Sequence, residues 1–181
     1  ALVVAKAYGR QAVRMAPDLG VGDSPVRPGD WPSEPSDLPW LTERADGGRD
    51  RPDFPKETRL PYGLYPIVDN LELFQELLPL GLRVLQLRIK DPGAPGLDET
   101  VEEAIRLARD SSIELYINDH WELAIRHGAY GVHLGQDDLA PEAVSAIRAA
   151  GIRLGISTHS YRVVACAMAL RPTYVALGTV Y

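Results

Sequence analysis

From Gly63 onward, short apolar runs rich in β-branched residues alternate with amphipathic stretches of helical period, and no other feature constrains the fold as much. The runs are LYPIV, VLQLRI, ELYI, YGVHL, RLGIS and TYVALG. Between them lie stretches such as DETVEEAIRLAR, in which Val101, Ala104, Ile105 and Ala108 keep the i, i+3, i+4, i+7 spacing of one buried face. PEAVSAIRAAG places Pro141 near a helix start and Gly151 just past its end. Six strands, each followed by a helix except the last, demand a parallel sheet covered by helices. A (β/α)8 barrel and an open doubly wound sheet both satisfy that pattern, and the residues at the strand ends decide between them.

The rest of the chain is of different character. Residues 1–21 form one helical pattern, with Leu2, Val3, Ala5, Ala12, Val13 and Ala16 interspersed with Lys6, Arg10 and Arg14, closing at PDLGVG. Residues 22–62 are rich in Pro, Gly, Asp, Arg and Ser, with apolar residues too sparse for a core, and read as an interdomain linker or surface extension. Trp31 and Trp40 fall in that stretch. Residues 63–181 carry the βαβ repeat.

With 45% hydrophobic residues and a net charge of −6, the 181-residue chain can build a sizeable core but offers no basic stripe for nucleic acid. An anionic ligand must be met by local cations or a metal. The single cysteine, Cys166, lies among Val163, Val164, Ala167 and Leu170, which excludes a disulfide framework and reads as helix packing. No apolar run approaches the roughly twenty residues of a membrane span, and the N-terminal stretch lacks the marks of a signal peptide. The expectation is a cytoplasmic protein that engages no membrane.

Polar residues then gather where the strands end. In QLRIK, alternation puts Gln86, Arg88 and Lys90 on one face and Leu87 and Ile89 on the other. A strand covered on both faces leaves an inward Arg and Lys in need of anionic company. LYIND ends in Asn118 and Asp119, GVHLGQDD in Asp137 and Asp138, LYPIVD in Asp69, and RLGISTH in Ser157, Thr158 and His159. Taken singly, Asp119 and Asp138 are ordinary helix N-cap candidates. Together with Arg88 and Lys90 they suit a magnesium diphosphate, since Mg²⁺ takes one or two carboxylates plus phosphate oxygens and water. His133, inside GVHLG, is read as a hydrogen-bonded core histidine rather than a metal ligand.

In order and spacing, YGLYPIVD, QLRIKD, INDHWELAIRHGAYGVHLGQDDL, LGISTH and YVALGTVY resemble the thiamine phosphate synthase family over Gly63 to Tyr181. That resemblance implies a (β/α)8 TIM barrel that joins hydroxymethylpyrimidine diphosphate to hydroxyethylthiazole phosphate with release of diphosphate. It implies that Gln86, Leu87, Arg88, Ile89, Lys90 and Asn118 line the pyrimidine diphosphate site. It further implies that Asp119 and Asp138 ligate Mg²⁺, that Ser157 contacts the diphosphate, and that Arg88, Lys90 and Ser157 act on the leaving group. The family's pattern continues past a sixth strand with a Thr-x-Thr-Lys loop, so the expected barrel is truncated here and of doubtful activity alone. ALVVAKAYGRQAV and APDLGVGDSPV look like the C-terminal end of a hydroxymethylpyrimidine phosphate kinase, which implies an internal piece of a bifunctional kinase and synthase. Rival readings are a thiazole tautomerase, for which His159 is the candidate base, and a noncatalytic barrel that binds thiamine precursors.

Overall fold

A computed structural model of the chain describes residues 2–17, 37–39, 52–57 and 63–178. Its helices are α1 (Leu2–Arg14), α2 (Leu71–Leu77), α3 (Leu97–Asp110), α4 (Trp121–His127), α5 (Pro141–Ala149) and α6 (Tyr161–Ala169). Its strands are β1 (Ile67–Val68), β2 (Val84–Leu87), β3 (Glu114–Asn118), β4 (Gly131–Leu134), β5 (Arg153–Thr158) and β6 (Tyr174–Leu177). They fall into two compact units, residues 1–51 with 159–170 and residues 52–158 with 171–181.

In the first unit α1 packs with α6. Helix α1 buries Ala7, Gln11 and Ala12, and Arg14 in its last turn grips Asp37 with two bonds of 3.1 and 2.6 Å. That guanidinium holds the Asp37 carboxyl below the usual carboxylate range. Ser160 caps α6 by accepting from the Val163 amide. The expectation that Cys166 is a packing residue is corrected: α6 buries Val164, Ala165, Ala167 and Ala169 and leaves Cys166 exposed. Trp31 and Trp40 lie outside the described residues.

The second unit holds one sheet of six strands, all parallel, in the order β1-β2-β3-β4-β5-β6. Register aligns Gln86, Tyr116, Gly131 and Arg153 across the sheet, and aligns Asn118, His133, Gly155 and Tyr174 one layer nearer the C-terminal strand ends. Because side chains alternate along each strand, these residues share one face with Ser157. The opposite face carries Leu85, Leu87, Leu115, Ile117, Val132, Leu134, Leu154 and Ile156, all buried. Helix α3 adds Val101, Ala104, Ile105 and Ala108, the stripe its spacing predicts, and contacts α2 and α4.

The sheet is curled. In a flat sheet, five interstrand steps of about 4.8 Å would set β1 and β6 about 24 Å apart, more than two tyrosine side chains can bridge. Yet the hydroxyl of Tyr65, just before β1, lies 2.8 Å from that of Tyr174 on β6. The concave face is filled by aromatic rings, with Tyr116 edge-on to Tyr130 and Tyr174. Two strand glycines make room for them. A Cβ on Gly131 would fall 2.4 Å from the Tyr116 ring, and one on Gly155 would fall 2.3 Å from the Tyr174 ring.

Residues 52–57 sit inside this unit, although composition reads them as linker. Phe54 is 1% exposed, and its amide donates to the Arg171 carbonyl at 3.1 Å. The Glu57 carboxylate accepts from the hydroxyls of Tyr116 (2.7 Å) and Tyr130 (3.1 Å). Arg153 and Arg83 lie at 3.3 and 3.9 Å from it, at ion-pair distance without hydrogen-bond alignment. Low apolar content hides this role, because a single aromatic and a single acid do the packing.

Candidate active site

The acidic pair comes first. Asp119 follows β3 with a left-handed backbone, φ +61°, a conformation that Asp tolerates better than most residues. Its amide donates to the His133 carbonyl at 3.0 Å, tying the end of β3 to β4. Asp138 ends the short 3-10 turn Gln136–Asp138 after β4, and a Cβ on Gly135 would come within 2.9 Å of its carboxylate. Neither carboxylate caps a helix: α4 is capped by His120 and α5 by Ala140, both without a side-chain capping bond. Burial and the negative charge of Asp138 hold the Asp119 carboxyl above the usual carboxylate range, while His120, Arg88 and the Asn118 side chain pull it back. Two carboxylates that repel each other at the mouth of a sheet form a place that gains from a cation.

One cation, Arg88, acts on Asp119 from the loop after β2. Pairing ends at Leu87, so Arg88, Ile89 and Lys90 lie beyond the strand rather than on it, with the Arg88 amide donating to the Val68 carbonyl at 2.7 Å. Arg88 acts electrostatically on both Asp119 and His133. The His120 ring Nε2 lies 2.7 Å from the Ile89 carbonyl, which makes that nitrogen a donor and joins the two loops. The loop bearing the cations is thereby fastened to the loop bearing Asp119.

Beneath the mouth runs a column of polar side chains. His133 is 7% exposed and bonded at both nitrogens, Nε2 to Ser157 Oγ and Nδ1 to the Tyr174 hydroxyl, each at 2.7 Å. Burial, with help from Arg88, lowers its pKa from 6.5 to about 4, so the ring is neutral. An unfolded chain takes up this proton below about 6.5 and the folded chain only below about 4. His133 therefore contributes stability that is complete above pH 6.5 and is lost as pH falls toward 4, about 3 kcal/mol in all. Urea unfolding across that window should show wild type losing stability as acid is added, and a His133→Asn variant should lose less.

The structure distributes the residues singled out from sequence as follows. Arg88, Asn118 and Asp138 each act on Asp119, Asn118 through a hydrogen bond and the other two through charge. Gln86 and Ser157 share the concave face with Asn118, Gln86 one layer below it and Ser157 one layer nearer the C-terminal strand ends. Leu87 is buried on the opposite face, so only its backbone can reach a ligand at the mouth. Ile89 offers its carbonyl to His120, and Lys90 is exposed on the same loop. Asp69 is exposed and accepts from the Asn70 amide group, and His159 is exposed in the first unit. Sequence reading missed Tyr65, Tyr174, His120 and Glu57. The strand glycines Gly131 and Gly155 were the available signal, since a strand glycine often marks the close approach of another group. Among the described residues no cluster of three or more His, Cys, Asp or Glu side chains could hold a metal, and no helix is long and apolar enough to cross a membrane.

The described strands form a curled parallel sheet with two carboxylates and a guanidinium beyond its C-terminal strand ends, the end at which barrel folds gather their functional groups. Residues 64–181 match the family model for thiamine monophosphate synthase, and the chain belongs to that family. It is 51% identical over 133 residues to a thiamine-phosphate synthase of Shigella dysenteriae, covering 72% of this chain and 62% of the relative. The Citrobacter koseri thiamine-phosphate synthase is 50% identical over the same length and shares. The solved thiamine phosphate pyrophosphorylase of Pyrococcus furiosus superposes with a TM-score of 0.59 at 25% identity, over 66% of this chain and 61% of that one. The chain thus spans about six-tenths of the length of the relatives it matches.

Proposed function

We propose that this chain supplies the diphosphate half of a thiamine phosphate synthase site, within six of the eight strands of a (β/α)8 barrel. The reaction joins hydroxymethylpyrimidine diphosphate to hydroxyethylthiazole phosphate. The observation that carries the reading is the pair Asp119 and Asp138, two carboxylates that cap nothing and face each other beside Arg88. A pair of acids suits Mg²⁺, which completes its shell with phosphate oxygens and water. Bound there, the ion would neutralise charge on the departing diphosphate.

The chain's own residues divide the remaining work. The bond from the pyrimidine methylene carbon to the diphosphate oxygen breaks, with its electron pair leaving on oxygen. The thiazole nitrogen then gives its lone pair to that carbon, and no proton is transferred. Arg88 and Lys90 would hold the leaving group, Asn118 and Gln86 would orient the pyrimidine, and Ser157 would donate to a diphosphate oxygen. This is electrostatic catalysis, with groups aimed at charge as it develops. The rival proton-transfer reading looks to His159 for its base, an exposed residue after β5. Residues 1–21 are read as the end of a fused pyrimidine phosphate kinase, joined through the proline-rich stretch.

The test supplies the full-length protein with both substrates and follows thiamine phosphate formation with and without Mg²⁺. Magnesium-dependent product with release of inorganic diphosphate is expected. Tight binding of either substrate without product would instead favour a noncatalytic precursor-binding protein.

A further inference from the structure

Four hydrogen bonds join five side chains into one chain on the concave face. Gln86 Nε2 donates to the Tyr65 hydroxyl at 3.3 Å, and the Tyr65 and Tyr174 hydroxyls lie 2.8 Å apart. Tyr174 meets His133 Nδ1 at 2.7 Å, and His133 Nε2 meets Ser157 Oγ at 2.7 Å. The geometry leaves little play. The His133 and Tyr174 rings stack with centroids 5.6 Å apart at 28°, and the bare Cα of Gly155 admits the Tyr174 ring.

Two polarities are open to this chain, because the Tyr65 hydroxyl can accept from Gln86 and from Tyr174 at once. In one of them the Tyr65 proton is directed to the Tyr174 oxygen, and the Tyr174 proton to His133 Nδ1. A neutral imidazole that accepts at Nδ1 carries its proton on Nε2, so His133 donates to Ser157 Oγ. The Ser157 proton is then released to point outward. Run the other way, the same chain would tie the serine proton to His133 and turn oxygen lone pairs toward an incoming anion.

We propose that Tyr174 and His133 are positioning residues that fix the Ser157 hydroxyl as a donor toward the substrate diphosphate, through a one-way relay beginning at Gln86 and Tyr65. The proposal rests on the reading of Ser157 as a diphosphate contact. Bonds in such a chain polarise one another, so an alteration at Tyr174 reaches Ser157 although the two residues do not share a bond. The relay also accounts for a buried histidine bonded at both nitrogens.

Two measurements on the full-length protein test it. Imidazole nitrogen NMR at neutral pH should find the His133 proton on Nε2 with Nδ1 bare, and a proton on Nδ1 overturns the relay whatever the ligand. Calorimetry with inorganic magnesium diphosphate should then compare wild type, Tyr174→Phe, Ser157→Ala and the double variant. Tyr174→Phe should weaken binding about tenfold, the scale of a hydrogen bond to a charged group. In the Ser157→Ala background it should weaken binding no further. Equal losses in both backgrounds would reduce Tyr174 to a packing residue and overturn the relay alone. Wild-type protein with no affinity for magnesium diphosphate would overturn the diphosphate reading, and the relay's role with it.

Discussion

In the full-length protein, and on the proposed reading of the site, Asp119→Asn is expected to lower thiamine phosphate formation by at least about 100-fold while leaving the protein as stable as wild type or more so. The magnitude follows from the cost of disturbing metal sites, where even residues behind the ligands are worth 10- to 100-fold. Asparagine keeps the side-chain shape and tolerates the left-handed backbone at position 119, so the change removes charge and little else. The opposite sign on stability comes from the carboxyl's raised pKa. A carboxylate that burial and Asp138 push upward is held in the folded state against its preference at neutral pH, and neutralising it relieves that opposition. The test is kinetics across a magnesium titration beside a thermal melt. Wild-type turnover would remove Asp119 from the site, and a large drop in melting temperature would mean its charge serves the fold.

Glu57→Ala is expected to destabilise the second unit by about 3–5 kcal/mol, the range for stranding the partners of a buried charge. Glu57 has a side chain 2% exposed and is the meeting point of Tyr116, Tyr130, Arg153 and Arg83. Arg83 keeps a second partner in Glu114 at 3.2 Å, while Arg153 keeps the face of the Tyr130 ring at 4.0 Å. The loss therefore falls mostly on Arg153 and the two tyrosine hydroxyls. Glu57→Gln retains the shape and one acceptor, and should cost less. Urea unfolding of both variants separates charge from packing, and an Ala variant as stable as wild type would show the cluster to be incidental. A chain that begins at Gly63 loses Phe54 and Glu57 together, and should fold poorly.

Much of the sheet was legible because alternation of short β-branched runs with helical stripes leaves few other folds. Boundaries were less legible: VLQLRI reads as six strand residues, but pairing stops at Leu87 and hands Arg88 and Ile89 to a loop. The carboxylates stood out through their place at consecutive strand ends, and helix capping was a fair rival until the caps were found at His120 and Ala140. The tyrosines could not be read as a network. Tyr65, Tyr116, Tyr130 and Tyr174 are distant in sequence, and ordinary strand propensity accounts for each one separately. Glu57 was invisible for a related reason, since a hydrogen-bonded hub needs few apolar neighbours in sequence.

The two glycines beneath the tyrosine rings have a consequence for how this protein can change. Gly131 with Tyr116, and Gly155 with Tyr174, are steric couples in which one partner has surrendered its side chain to the other. Single replacement of either glycine meets a ring it cannot displace cheaply, whereas a smaller residue at the tyrosine position opens the space. Mutational paths through this core should therefore move in pairs, with the order of steps constrained. A combinatorial library at 131 and 116 should return alanine at the first position chiefly where the second has lost its ring.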